Sequence, residues 1–214
     1  MKNFLFIILI IISLQAFSQE SKKYHIGDFT QGGIIFWLDE SGDHGLVCAK
    51  EDQALRMQWD MELKFEGGVM SFPERNTKSI SIVDSIFAGK GNTKSIINFV
   101  GDTNKAYAAM VCDELVVVES EIVYGDWYLP SREELIMMYT NRKIINKVAL
   151  SERGSSFGKK SYWSSTDVDC SVKPHLYMDK VHAAWQHDFS RGGKSFQIPA
   201  RKYMPLAVRA IRAF

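Results

Sequence analysis

The chain opens on an unbroken apolar run, residues 4–12, behind a single Lys2. After that its apolar positions alternate between strand-like and helix-like spacing. Residues 32–38 form a β-branched and aromatic run, residues 39–45 are dense in turn formers, and residues 46–49 are apolar again. This pattern predicts a β-hairpin within residues 24–49. A strand apolar on both faces is expected to be covered on both. Residues 50–75, with Gly67, Gly68 and Pro73, show no sustained period and read as irregular. Ile82, Val83, Ile86 and Phe87 have helical spacing, which predicts a helix over 79–88 ended by Gly89-Lys90-Gly91. Asn92 is a candidate N-cap for a further helical stretch through Ile96, Ile97 and Val100. That pattern breaks at Gly101-Asp102 and resumes over 106–115. The next helix opens at Pro130, where Ser131 and Glu134 have capping-box spacing and Leu135, Met138 and Tyr139 supply one apolar face. From residue 161 on, three segments are strand-like: 162–166, 183–189 and 207–214. A hairpin, then about three helices, then a mainly antiparallel C-terminal sheet is an α+β layout.

The N-terminal run is too short for a spanning helix, which needs about 20 apolar residues. With Lys2 before it and Ala16-Phe17-Ser18 after it, the run reads as a signal peptide, residues 1–18, cleaved after Ser18. Residues 19–23 then form a short tail and residues 24–214 a single domain, placed in the periplasm, at the cell surface or outside the cell, with no transmembrane anchor after cleavage. The chain carries 26 basic and 25 acidic residues, and cleavage removes one of the basic ones. A charge-balanced chain has no global field to attract nucleic acid. Of the three cysteines, Cys48 and Cys112 stand in apolar patterns and read as small buried hydrophobes, whereas Cys170 lies in a polar stretch and is the candidate reactive thiol. An odd count leaves at least one unpaired within the chain. The five histidines are scattered without metal-ligand spacing, no Cys-x-x-Cys pair is present, and neither a metal nor a cofactor is expected. Gly89-Lys90-Gly91-Asn92-Thr93 lacks phosphate-loop spacing and reads as a turn between helices.

Five ordered words carry a resemblance. They are Gly-Asp-Trp-Tyr-Leu-Pro-Ser at 125–131, Tyr-Trp-Ser-Ser-Thr at 162–166, Ala-Trp-Gln-x-x-Phe at 184–189, Val-Arg-Ala-x-Arg-Ala-Phe at 208–214, and Gly-Gly-Ile-Ile-Phe-Trp-Leu-Asp at 32–39. Together they resemble the DUF1566 family, in its Bacteroidota version. That family includes the C-terminal domain of the Legionella collagen-like adhesin type. The resemblance implies a C-type-lectin-like fold related to formylglycine-generating enzymes, a surface or secreted location, and, by analogy with the adhesin, binding of sulfated polysaccharide.

Asp126, Trp127, Leu129 and Pro130 read as scaffold: Trp127 and Leu129 alternate into the core, Asp126 accepts backbone donors, and Pro130 sets φ for a helix start. Arg209 and Arg212 are three apart, so on one strand they face opposite ways, with at least one semi-buried in an ion pair. The candidate ligand surface is an aromatic platform of Trp163 and Trp185 with Ser165 and His187 beside it and the cations Arg191 and Lys194 in the following loop. The leading expectation is therefore a carbohydrate-binding, adhesin-like module without catalysis. The alternative is an envelope protein that binds another protein and no small ligand. A formylglycine-generating-type oxidase needs two cysteines close together near the C-terminus to hold copper, and Cys170 stands alone there.

Overall fold

A computed structural model describes residues 24–60, 64–66, 69–71, 80–101, 105–168, 183–190 and 196–214. The chain is α+β, with four helices and several antiparallel sheets among the described residues. The expected signal peptide and tail, Cys170, Arg191 and Lys194 lie outside the described residues.

The N-terminal hairpin forms as its sequence dictates. Strands β2 (Gly33–Leu38) and β3 (Gly45–Cys48) pair antiparallel, with β1 (Phe29–Thr30) on the outer edge of β2. Ile34, Ile35 and Phe36 are all fully buried, because the two faces of β2 enter two different cores. Ile35, Val47, Trp127, Leu129 and Trp163 belong to one core; Ile34, Phe36, Leu46, Tyr128 and Tyr162 belong to the other. The period of two in each strand thus divides its side chains between two cores. Helices α1 (Ala88–Val100) and α2 (Ala108–Asp113) contribute to the first core. Helices α3 (Arg132–Thr140) and α4 (Arg142–Ser151) contribute to the second.

Four local expectations are corrected. Residues 50–75 are not wholly irregular: β4 (Ala54–Met57) pairs with a C-terminal strand, and β5 (Lys64–Glu66) and β6 (Val69–Ser71) pair with each other. Of the helix expected over 79–88, residues 80–87 are instead irregular and turn at Phe87, residue 79 lies outside the described residues, and α1 begins at Ala88 and runs on through Gly89-Lys90-Gly91. The reason is tertiary. A Cβ on Gly89 would collide with the Glu134 carboxylate, the Leu129 carbonyl and the Tyr128 ring, so glycine there permits close packing instead of ending a helix. Asn92 is then not a cap but an interior residue whose Nδ2 donates to the Val83 carbonyl and ties the segment down. The third correction is a hairpin where none was expected, β7 (Val117–Glu119) and β8 (Ile122–Tyr124), directly after α2. The fourth concerns residues 207–214, which form two strands, not one.

Those two strands are β12 (Leu206–Val208) and β13 (Ile211–Ala213). β12 lies between β4 and β9 (Ser161–Asp167) in a five-stranded sheet that continues through β10 (Ala183–Asp188) to β11 (Gln197–Arg201). β13 crosses to the other sheet and pairs antiparallel with β3. The C-terminal word is therefore the link between the two sheets.

Candidate functional site

The two-indole platform is not assembled. Trp163 is 0 % exposed, its Nε1–H donates to the Met57 carbonyl at 2.8 Å, and it forms part of the first core. Ser165 is equally buried: its N–H donates to the Pro130 carbonyl, and its own carbonyl accepts from the Ser81 hydroxyl. His187 does share a strand face with Trp185, as alternation requires. It is nevertheless buried against the Tyr139 ring at 4.6 Å and the Phe189 ring at 5.2 Å. Desolvation in that aromatic nest lowers its pKa to about 4, so it is a neutral core residue at ordinary pH. All three are withdrawn as ligand contacts, because a fully buried side chain has no surface to offer. Trp185 alone is partly exposed, and the Arg132 guanidinium lies over its ring at 4.5 Å.

The hydroxyls of β9 have a structural task instead. Ser164 Oγ donates to the Trp185 carbonyl, Thr166 Oγ1 accepts from the Arg132 N–H at the start of α3, and Asp167 accepts from the Ile80 N–H. Lys202 Nζ reaches Asp167 at 2.9 Å and lies 4.4 Å from the centre of the Trp59 ring. Burial raises the Asp167 pKa, with the Lys202 charge opposing that rise. These bonds fasten the 80–87 segment and the α3 terminus to β9, the central strand of the five-stranded sheet.

The signature residues are scaffold. Trp127 and Leu129 are buried in the first core, as their alternation implies. Pro130 stands one residue before the Ser131 N-cap and so precedes the helix instead of starting it. Asp126 takes a side-chain partner where backbone donors were expected: Arg212 Nε lies 2.6 Å away, and Lys90 Nζ 3.7 Å. Partial burial would raise its pKa, but the Arg212 hydrogen bond and charge outweigh that and hold it low. Arg209 lies in the break between β12 and β13 and Arg212 within β13, and both are ion-paired. Arg209 is completely buried against Asp52 at 2.6 Å and stacks over Phe157. Burial pushes the Cys48 thiol up to about 12, so Cys48 is an inert core residue, and Cys112 is buried likewise. Among the described residues no group of three or more His, Cys, Asp or Glu side chains is placed to hold a metal ion. No described helix is long and apolar enough to cross a membrane.

One exposed apolar face lies on the hairpin that sequence reasoning missed; Ile82, Val83 and Phe87 of the 80–87 segment are exposed as well. In β7–β8, Val118 pairs directly with Val123, and Val117 with Tyr124. Val117 and Tyr124 pack on the first core, the Tyr124 ring lies under the Arg212 guanidinium at 4.7 Å, and Glu119 accepts from the Gly32 N–H at 2.8 Å. The inward face is thus anchored at three points. The opposite face carries Val116, Val118 and Val123, which are 60 %, 65 % and 64 % exposed, and Ile122 at the tip is 55 % exposed. Its two-residue turn, Ser120-Glu121, has both residues at positive φ (48° and 68°). The signal in the sequence was the Val116-Val117-Val118 run and Ile122-Val123-Tyr124 around two polar residues, a hairpin word without the usual Asn-Gly.

No protein-family model matches the chain, and no curated protein matches it significantly.

Proposed function

We propose that this chain is an exported, non-catalytic binding module of DUF1566 type and C-type-lectin-like fold, which recognises another protein through the outward face of the β7–β8 hairpin. One observation carries the reading: three β-branched side chains stand exposed together on the face of a hairpin that would ordinarily be polar. The motif residues support it indirectly. Trp127, Trp163, Ser165, His187 and Arg209 are occupied in building the fold and are not available for recognition, whereas the hairpin presents an uncovered apolar face. Export rests on the N-terminal sequence, and the family on the five ordered words.

The test is a photo-crosslinking residue at position 118, with position 150 on α4, where Leu150 is equally exposed, as the control. A single stoichiometric protein captured from 118 and not from 150 is the expected result. Capture from both positions alike, or from neither, overturns the reading.

The glycan reading keeps one specific observation, the partly exposed Trp185 under Arg132. Retention on a glycan array that disappears in Trp185→Ala, with the fold intact, would restore it.

A further inference from the structure

The hairpin belongs to a strongly one-signed stretch of chain. Residues 113–126 contain five carboxylates, Asp113, Glu114, Glu119, Glu121 and Asp126, and no Lys or Arg, in a chain whose total charge is balanced. Glu119 and Asp126 are committed to Gly32 and Arg212. Asp113 and Glu114, at the C-terminal end of α2, and Glu121, in the hairpin turn, are exposed. Two grooves flank this stretch. One, of about 430 Å³, has Ile97 and Met110 in its wall and Asp113 and Glu114 at its rim. The other, of about 170 Å³, lies between Phe29, Leu115, Val117 and Val118, with Glu119, Glu51 and Lys50 also in its lining; the Lys50 ammonium is turned to the Glu152 carbonyl at 3.1 Å. Met110, Asp113 and Glu114 line the first, and Leu115, Val117, Val118 and Glu119 the second, so apolar and acidic side chains follow one another along this stretch of chain. β7 and β8 pair only with each other among the described residues, which leaves an outer edge on each strand.

Resting on the reading of the hairpin as a docking face, we propose that its occupant is a cationic, aliphatic segment of a partner protein, in which Lys or Arg side chains alternate with branched apolar ones. The smaller groove has the volume of one large aliphatic side chain, and the outer edge of β7 or β8 offers an extended segment a strand to lie beside. Asp113, Glu114 and Glu121 set register and speed encounter, while the valines supply the buried contact. The same carboxylates repel an anionic lipid surface and a sulfated polysaccharide, so this face suits neither.

The experiment uses the purified full chain and two labelled peptides, one of alternating Lys and Val and one of alternating Glu and Val, read by fluorescence anisotropy. The Lys–Val peptide is expected to bind and the Glu–Val peptide not to. The triple variant D113N/E114Q/E121Q, near-isosteric at exposed positions and checked by thermal unfolding, is expected to weaken binding by about tenfold or more, as is a rise in salt. Equal binding of both peptides, or of the Lys–Val peptide to the wild type and the triple variant, overturns the inference. So does binding to anionic vesicles that V118S/V123S abolishes, which would make the occupant a lipid surface. If neither peptide binds while position 118 still captures a protein, the cationic inference fails and the docking reading stands. If position 118 captures nothing, both fail.

Discussion

The carboxylate of Glu134 accepts a hydrogen bond from the backbone N–H of Phe87, 2.8 Å away and 47 positions earlier in the chain. The same buried carboxylate accepts from the Ser131 N–H at 2.7 Å and the Tyr128 hydroxyl at 3.2 Å. Phe87 is the N-cap of α1 and holds φ at 68°, a conformation costly for an aromatic residue. Its ring meets Trp37 edge-on at 5.6 Å. One side chain therefore closes the capping box of α3 and fixes the turn into α1.

Removing that carboxylate is expected to loosen both helix starts. Glu134→Ala leaves buried donors unsatisfied and should cost about 3 kcal/mol or more, as in other broken buried networks. Glu134→Gln keeps one acceptor and should cost less. Burial raises the Glu134 pKa, so its contribution is fully present below the ordinary carboxylate value and is lost as pH rises through the folded-state value. Urea unfolding of wild type and Glu134→Gln across that range checks it: the variant should lack this part of the pH dependence.

His187 has the opposite sign. Its folded pKa of about 4 lies below the ordinary value, so stability is expected to fall as pH drops from about 6.5 toward 4. The full effect is about 3 kcal/mol, reached below the folded-state value. His187→Leu should flatten that acid slope. Unchanged acid sensitivity in the variant would show that other groups carry it.

Asp52 is the only described carboxylate that meets Arg209, Lys160 and the Tyr162 hydroxyl together. Asp52→Ala should cost about 3–5 kcal/mol, since it strands a completely buried guanidinium. Replacing both partners with apolar residues, D52A/R209M, should cost less than the sum of the single changes. A double-mutant cycle by chemical unfolding measures that coupling; strict additivity would count against the pair.

The Ser120-Glu121 turn demands positive φ from two residues that rarely adopt it. S120N/E121G is expected to stabilise the fold by about 1 kcal/mol, raising Tm by about 2–4 °C. Calorimetry is the check, and an unchanged Tm would mean that the strain is absorbed elsewhere.

The elements that sequence reasoning read well are those whose signals are local. The β2–β3 hairpin follows from a β-branched run and a polar turn, and α3 from Ser131 and Glu134 at capping-box spacing. Both occur where that chemistry puts them. The 80–87 segment was misread because Ile82, Val83, Ile86 and Phe87 have helical spacing, yet Ile82, Val83 and Phe87 are largely exposed and the spacing serves no helix. Trp163 was misassigned for a related reason. An aromatic beside hydroxyls in a strand fits a binding platform as well as a core, and only its donation to the Met57 carbonyl and its complete burial in the first core distinguish them.

By itself the sequence determined the α+β layout, the N-terminal hairpin, the α3 start and the scaffold role of Trp127, Leu129 and one ion-paired arginine. These rest on period, caps and turn residues, which act over a few positions of chain. Tertiary structure decided the rest. It placed Arg209 on Asp52 and Arg212 on Asp126, split residues 207–214 between two sheets, and chose which indole is covered. It also turned one face of β7–β8 outward with its valines uncovered. Burial and charge pairing depend on what packs from distant parts of the chain, and no local pattern contains that information.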